Sequence, residues 1–181
     1  IGHTQKSRQG ISCSVIAGVG DSMQRDYWYS SARRLGDLDT PLQVGDQAAR
    51  RTLRRLGARR VPTCKVPVIY EAPVASSLLG HFISAISGGA LYRKASFLLD
   101  HLDKKIFPEF VRIHEQPLIV GGMGSAAFDG EGVATSARDI VSDGILRGYV
   151  LGSYSARRLD MQTTGNAGGV HNLTIDTGDQ N

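Results

Sequence analysis

The chain has 181 residues, a formal charge of +4 and a near-globular composition, 41% hydrophobic and 21% charged, which excludes a wholly disordered, collagen-like or coiled-coil chain. No window approaches the roughly 18 to 20 continuous apolar residues of a membrane-spanning helix, so no membrane partner is expected. Cys13 and Cys64 lack the spacing of a disulfide framework, and reduced thiols in a cytoplasmic protein are the expectation.

The chain opens on Ile1 with little preamble and reads as a piece of a longer protein. Ile11 to Ala17 alternates apolar and small polar residues, Gly18 to Asp21 supplies a turn, and Met23 to Tyr29 follows as a second arm. That is a hairpin whose second strand sets Gln24, Asp26 and Trp28 on one face and Met23, Arg25, Tyr27 and Tyr29 on the other. Asp39-Thr40-Pro41 signals a helix start, and the helix from about Leu42 should bury Leu53 and Leu56 before Gly57 ends it. Val61-Pro62 and Val66-Pro67 bracket a non-helical stretch, which predicts a domain boundary near residue 60, with units 1–60 and 61–181.

Val66 to Tyr70 reads as a short buried strand and Val74 to Ser87 as a second helix, stopped at Gly88-Gly89. Val111 to Glu115 alternates as a strand. Gly121 to Gly132, with five glycines in twelve residues, must be loop. Asp143-Gly144 between the apolar runs Arg138 to Ser142 and Ile145 to Leu151 predicts a hairpin with a two-residue primed turn. A last strand is expected at Val170 to Ile175. The fold class is therefore α+β, with antiparallel sheets and two main helices.

Six arginines fall between Arg50 and Arg60, with no acidic residue from Gln47 to Tyr70. Such a face could bind phosphates of nucleic acid, making the chain a nucleic-acid or regulatory binding module. Without interleaved aromatics, a solvated helix face is the better account. The five histidines are scattered singly, so no metal motif forms from spacing alone, and His101 and His114-Glu115 lie in polar surroundings that suit surface or capping roles. His81 sits in an apolar helix, where a hydrogen-bonded core histidine is the ordinary reading. Gly121-Gly122-x-Gly124 lacks the Lys-Ser/Thr pair of a phosphate cradle, and Asp129-Gly130-Glu131 offers too few oxygens for a calcium loop.

Several segments together resemble the PmbA (TldE) branch of the TldD/PmbA metalloprotease family. They are Met23 to Tyr29, Ser31 to Leu35, Pro67-Val-Ile-Tyr-Glu-Ala-Pro73, Leu78-Leu-Gly-His81, Phe128-Asp-Gly-Glu-Gly132, Asp143-Gly144 and Thr164-Gly-Asn-Ala-Gly-Gly-Val-His-Asn-Leu173, in fixed order. The resemblance implies the end of an N-terminal α+β domain followed by the opening segment of a β-rich C-terminal domain. It also implies that a His-Glu-x-x-x-His helix carries metal ligands and a catalytic glutamate in active relatives. Here Ser76 and Ser77 stand where the first histidine and the glutamate would be, and only His81 matches.

A catalytic zinc keeps about three protein ligands, and a carboxylate must take the proton of the attacking water. Two serines supply neither. What the resemblance implies is a metal-free partner, with no cofactor in this chain, of a zinc-bearing TldD-type subunit, or alternatively a self-dimer, handling unfolded peptides in the cytoplasm. Asp129, Glu131, His171 and Asn172 are candidate cleft-lining residues, and the Gly121 to Gly132 loop and the Asp143-Gly144 hairpin are candidate walls. The alternative is an active metallopeptidase using His81 with residues outside this segment.

Overall fold

The computed structural model describes residues 2–176. It is α+β and divides into two compact units, the first ending at Val68 and the second beginning at Ile69.

In the first unit, β1 (Gln9–Ala17) pairs antiparallel with β2 (Gln24–Ala32), Cys13 lying opposite Trp28. The alternation works as the sequence predicts, because Gln24, Asp26 and Trp28 lie on the covered face while Arg25, Tyr27 and Tyr29 are exposed. Helix α1 (Pro41–Arg54) provides the cover. It starts where the capping signal places it: the Thr40 hydroxyl accepts from the Gln43 backbone N–H at 3.3 Å, and the Gln43 side chain accepts from the Thr40 N–H at 2.8 Å.

The buried stripe of α1 is not the leucine stripe. Val44, Ala48 and Thr52 are buried, whereas Leu42, Leu53 and Leu56 are exposed. Two features explain the rotation. Small side chains let the helix lie close on a two-stranded sheet, with the Thr52 hydroxyl donating to the Ala48 carbonyl at 2.8 Å and approaching the Val15 carbonyl at 3.3 Å. Arg51 also turns inward, its guanidinium 5.2 Å from the Trp28 ring centroid and its Nε 3.5 Å from Asp26. The backbone N–H of Tyr27, 2.8 Å away, and then Arg51 and Arg55 hold the Asp26 carboxyl below the usual range against the effect of burial. Some of the arginine run is thus spent on a local cluster, while Arg50, Arg54, Arg59 and Arg60 face solvent.

Val66 to Tyr70 is not a strand. Val66, Val68, Ile69 and Tyr70 are all exposed, and no strand pairs with them among the described residues. Pro67 removes an N–H that a ladder would need, so periodicity alone does not make this run a strand.

In the second unit, α2 (Ala72–Ala85) is anchored only by its C-terminal half. Phe82 meets Phe107 edge-on at 5.3 Å, and Ile86, just past the helix, is fully buried. The short helix α3 (Gly88–Tyr92) follows at once. Its Gly88 has no room for a side chain, since an added Cβ would run into Ser155 of α4 (Ser153–Arg158).

The sheet has the order β5-β4-β3-β6, built from β3 (Ile113–Glu115), β4 (Arg138–Ser142), β5 (Ile145–Leu146) and β6 (Leu173–Ile175). Asp143 and Gly144 both take positive φ, 53° and 70°, the backbone of a primed two-residue turn. The second arm is shorter than the apolar run suggests. Val150 leaves the ladder to exchange hydrogen bonds with the α2–α3 junction, accepting from Gly88 N–H at 2.9 Å and donating to Ile86 at 3.0 Å. Ile113, Ile140, Val141, Leu146 and Leu151 form the centre of the core with Ile86 and Leu91.

Candidate functional site

Helix α2 carries the three positions to which the resemblance assigns metal chemistry. Ser76 and Ser77 are exposed, and each hydroxyl proton is already committed: Ser76 donates to the Pro73 carbonyl at 3.0 Å and Ser77 to the Val74 carbonyl at 2.6 Å. His81 is exposed rather than a core histidine, because the residues that reach the core here are Phe82 of α2 and Ile86 just past its end. One imidazole and two back-bonded hydroxyls do not fit a catalytic metal, which needs several donors aimed at one point and a proton-accepting carboxylate. No group of three His, Cys, Asp or Glu side chains among the described residues could hold a metal ion.

Of the remaining candidate residues, His171 joins a polar network built on Glu115. Glu115 is 2% exposed and is a cross-strand neighbour of Arg138. Its Oε2 accepts from Arg138 Nε at 3.0 Å, and its Oε1 accepts from the Asn166 side chain at 2.8 Å and the His171 backbone N–H at 2.6 Å. The His171 ring nitrogen Nδ1 lies 3.1 Å from the same oxygen. Arg138 is consumed in turn, donating to the Tyr149 carbonyl at 2.9 Å and the Asn166 amide oxygen at 2.8 Å. A buried charge arranged this way is fully partnered and serves architecture.

Asp129 has a similar role in the neighbouring loop. Burial disfavours its charge, but the backbone N–H groups of Ala167, Val133 and Glu131 all point at it, at 2.9 Å each, and hold the carboxyl below the usual range. Asn172 pins the glycine-rich loop, accepting from Gly124 N–H at 2.8 Å and donating to Ser125 Oγ at 2.7 Å. The residue order from Thr164 to Leu173 therefore encodes a clasp: Asn166 and His171 grip Glu115, Ala167 grips Asp129, and Asn172 grips the loop.

Glu131 stands apart. It is exposed, with one oxygen accepting from Ser153 N–H at 2.7 Å, and the Ser153 side chain and backbone together keep it below the usual carboxylate range. It lines an open cleft of about 530 Å³, whose walls include Ser84 and Ser87 of the α2 end, Tyr92 of α3, Tyr154 of α4 and the Asn166 to Gly169 turn. The structure thus gathers Asp129, His171 and Asn172 into the clasp and leaves Glu131 at the cleft. Sequence reading passes over Glu115, Arg138 and Asn166. The available signal was the alternation of β3, which puts Glu115 on the same face as buried Ile113.

Residues 63–181 match the PmbA/TldA metallopeptidase C-terminal domain, and residues 2–56 match the PmbA/TldA metallopeptidase central domain. The chain belongs to the PmbA/TldD metallopeptidase family. It is 49% identical over 169 residues to Metalloprotease PmbA of Escherichia coli O157:H7, covering 93% of this chain and 38% of that protein. It is 46% identical to the Metalloprotease PmbA homolog of Haemophilus influenzae, over the same shares of the two chains. The chain thus spans well under half the length of these PmbA relatives.

Among solved structures, a putative modulator of DNA gyrase from Bacteroides thetaiotaomicron superposes with a TM-score of 0.88 at 33% identity, over 99% of this chain and 41% of that one. TldE from Thermococcus kodakarensis shares the PmbA/TldD fold at a TM-score of 0.65 and 20% identity, over 96% of this chain and 41% of that one. Among the described residues no helix is long and apolar enough to cross a membrane.

Proposed function

We propose that this chain belongs to the metal-free subunit of a TldD/TldE-type metallopeptidase assembly that degrades or processes unfolded peptides in the cytoplasm, with zinc held by a TldD-type partner subunit. Membership of a metallopeptidase family supports the reaction class. The observation that carries the division of labour is the state of Ser76 and Ser77. Both hydroxyls donate backwards to carbonyls of their own helix, where an active relative would place an imidazole and a carboxylate. Neither can activate a metal-bound water, and His81 alone gives a divalent ion one ligand.

The test is reconstitution. Full-length protein, mixed with a TldD-type subunit, is expected to support chelator-sensitive cleavage of an unstructured peptide, and His81→Ala in this chain is expected to leave that rate unchanged. A loss of activity with His81→Ala at unchanged assembly would put His81 in the catalytic set and overturn the reading.

A further inference from the structure

The cleft beside Glu131 gathers several acceptors. A hydroxyl has one proton, and three cleft hydroxyls have committed theirs to the backbone: Ser84 Oγ donates to the Gly80 carbonyl at 2.9 Å, Ser87 Oγ to the Ser84 carbonyl at 2.8 Å, and Ser155 Oγ to the Gly152 carbonyl at 3.1 Å. What they present to the cleft is lone pairs. Glu131 adds a carboxylate, which already accepts from the backbone N–H and the hydroxyl of Ser153. The donors in the lining are the Tyr92 hydroxyl, which accepts from Arg93 at 3.1 Å and keeps one proton to offer, the Tyr154 hydroxyl, and the backbone N–H groups of Gly89 and Gly168.

The apolar portion of the lining comes from Ile83, Val150 and the rings of Tyr92 and Tyr154, which meet edge-to-face with centroids 5.7 Å apart. The guanidinium of Arg93 already rests 5.3 Å from the Tyr92 ring centroid, so that ring takes a cation within the chain itself. Arg157 lies near enough to Glu131 to favour its charge, and an arriving cation must share the carboxylate with it. The volume, about 530 Å³, falls within the roughly 300–1,000 Å³ of small-ligand sites.

We infer that this cleft binds a donor-rich cation on an apolar stem, a protonated amine of a peptide, with Glu131 and the serine lone pairs of Ser84 and Ser87 taking the ammonium and the tyrosine rings taking the stem. The inference rests on the peptide-handling reading only for the choice of peptides as ligands. It gives the site a preference where the clasp residues only position its wall.

The experiment titrates full-length protein with three short alanine-based peptides: one with a central lysine and both ends blocked, one with norleucine in its place and both ends blocked, and the norleucine peptide with a free amino terminus. The lysine peptide is expected to bind roughly tenfold more tightly than the blocked norleucine peptide, the worth of one charge-assisted hydrogen bond. Glu131→Gln should abolish that preference. Ser84→Ala, which leaves the Ser153 contact intact, should reduce it. If the free amino terminus also restores tight binding, the site takes an α-amine as well as a side-chain amine; if it does not, the site is specific for the side-chain amine. Equal binding of the lysine and blocked norleucine peptides, or a preference that survives both substitutions in folded protein, would overturn the inference. Reconstituted cleavage and assembly are read separately, so this failure leaves the metal-free reading standing.

Discussion

Glu115 and Arg138 face each other across β3 and β4, with Oε2 and Nε 3.0 Å apart in a setting where the carboxylate is 2% exposed. The pair ties the sheet to the Asn166 to His171 turn, because Asn166 and His171 bond to the same carboxylate. The wall of the cleft therefore depends on a salt bridge that does not itself line it.

Removing one member leaves the other charged, buried and unpaired. Glu115→Ala is expected to destabilise the second unit by about 3–5 kcal/mol, and the apolar double replacement Glu115→Leu with Arg138→Met by clearly less. Urea unfolding of the full-length protein and both variants checks this. A double variant as unstable as the single would show that the network's worth lies elsewhere.

Asp129 gives the acid limb of stability. Its pKa is lower in the folded protein than in the unfolded chain, so its contribution is full above the ordinary carboxylate value of about 4 and is lost as pH falls through the depressed folded value. Between pH 5 and pH 2, Asp129→Asn is expected to show a shallower loss of stability than the wild type, starting from a lower plateau. Parallel acid profiles would remove Asp129 from the account.

Two glycines, Gly57 and Gly144, share a φ of 70° and differ in their surroundings. At Gly57 an added Cβ meets nothing within 4 Å, whereas at Gly144 it would run into the Phe107 and Pro108 carbonyls. Gly57→Ala is expected to cost about 1 kcal/mol, the left-handed backbone alone, and Gly144→Ala about 3 kcal/mol or more. Denaturant midpoints at unchanged slope give the comparison.

The start of α1 rests on a reciprocal pair, Thr40 and Gln43. Thr40→Ala is expected to cost about 1 kcal/mol, and Thr40→Ser much less, in thermal unfolding of the first unit.

The elements with local chemical signals were legible in the sequence. The hairpin over β1 and β2 follows from strict alternation, α1 from a cap and a proline, and the Asp143-Gly144 turn from a dipeptide that tolerates positive φ. What was not legible depends on partners distant in the chain. The buried stripe of α1 combines the close fit of Val44, Ala48 and Thr52 on the sheet with the contacts of Arg51 to Asp26 and Trp28, neither of which leucine spacing discloses. The run from Val66 to Tyr70 has strand-like composition but no ladder partner among the described residues.

The candidate site divides in the same way. Ser76, Ser77 and His81 could be located by resemblance, and Glu131 by its loop. The clasp could not, since Glu115 meets Asn166 and His171 across 51 and 56 residues of chain. His114-Glu115 looks like surface until β3 is given a core face, when Glu115 must go inward and find a cation.

The proposed metal-free role requires that the α2 positions of this chain hold no catalytic ion. Metal analysis of the full-length protein purified without a partner tests it most directly. The account predicts far less than one bound zinc per chain, unchanged by His81→Ala. One tightly held ion per chain, lost on His81→Ala, would contradict it.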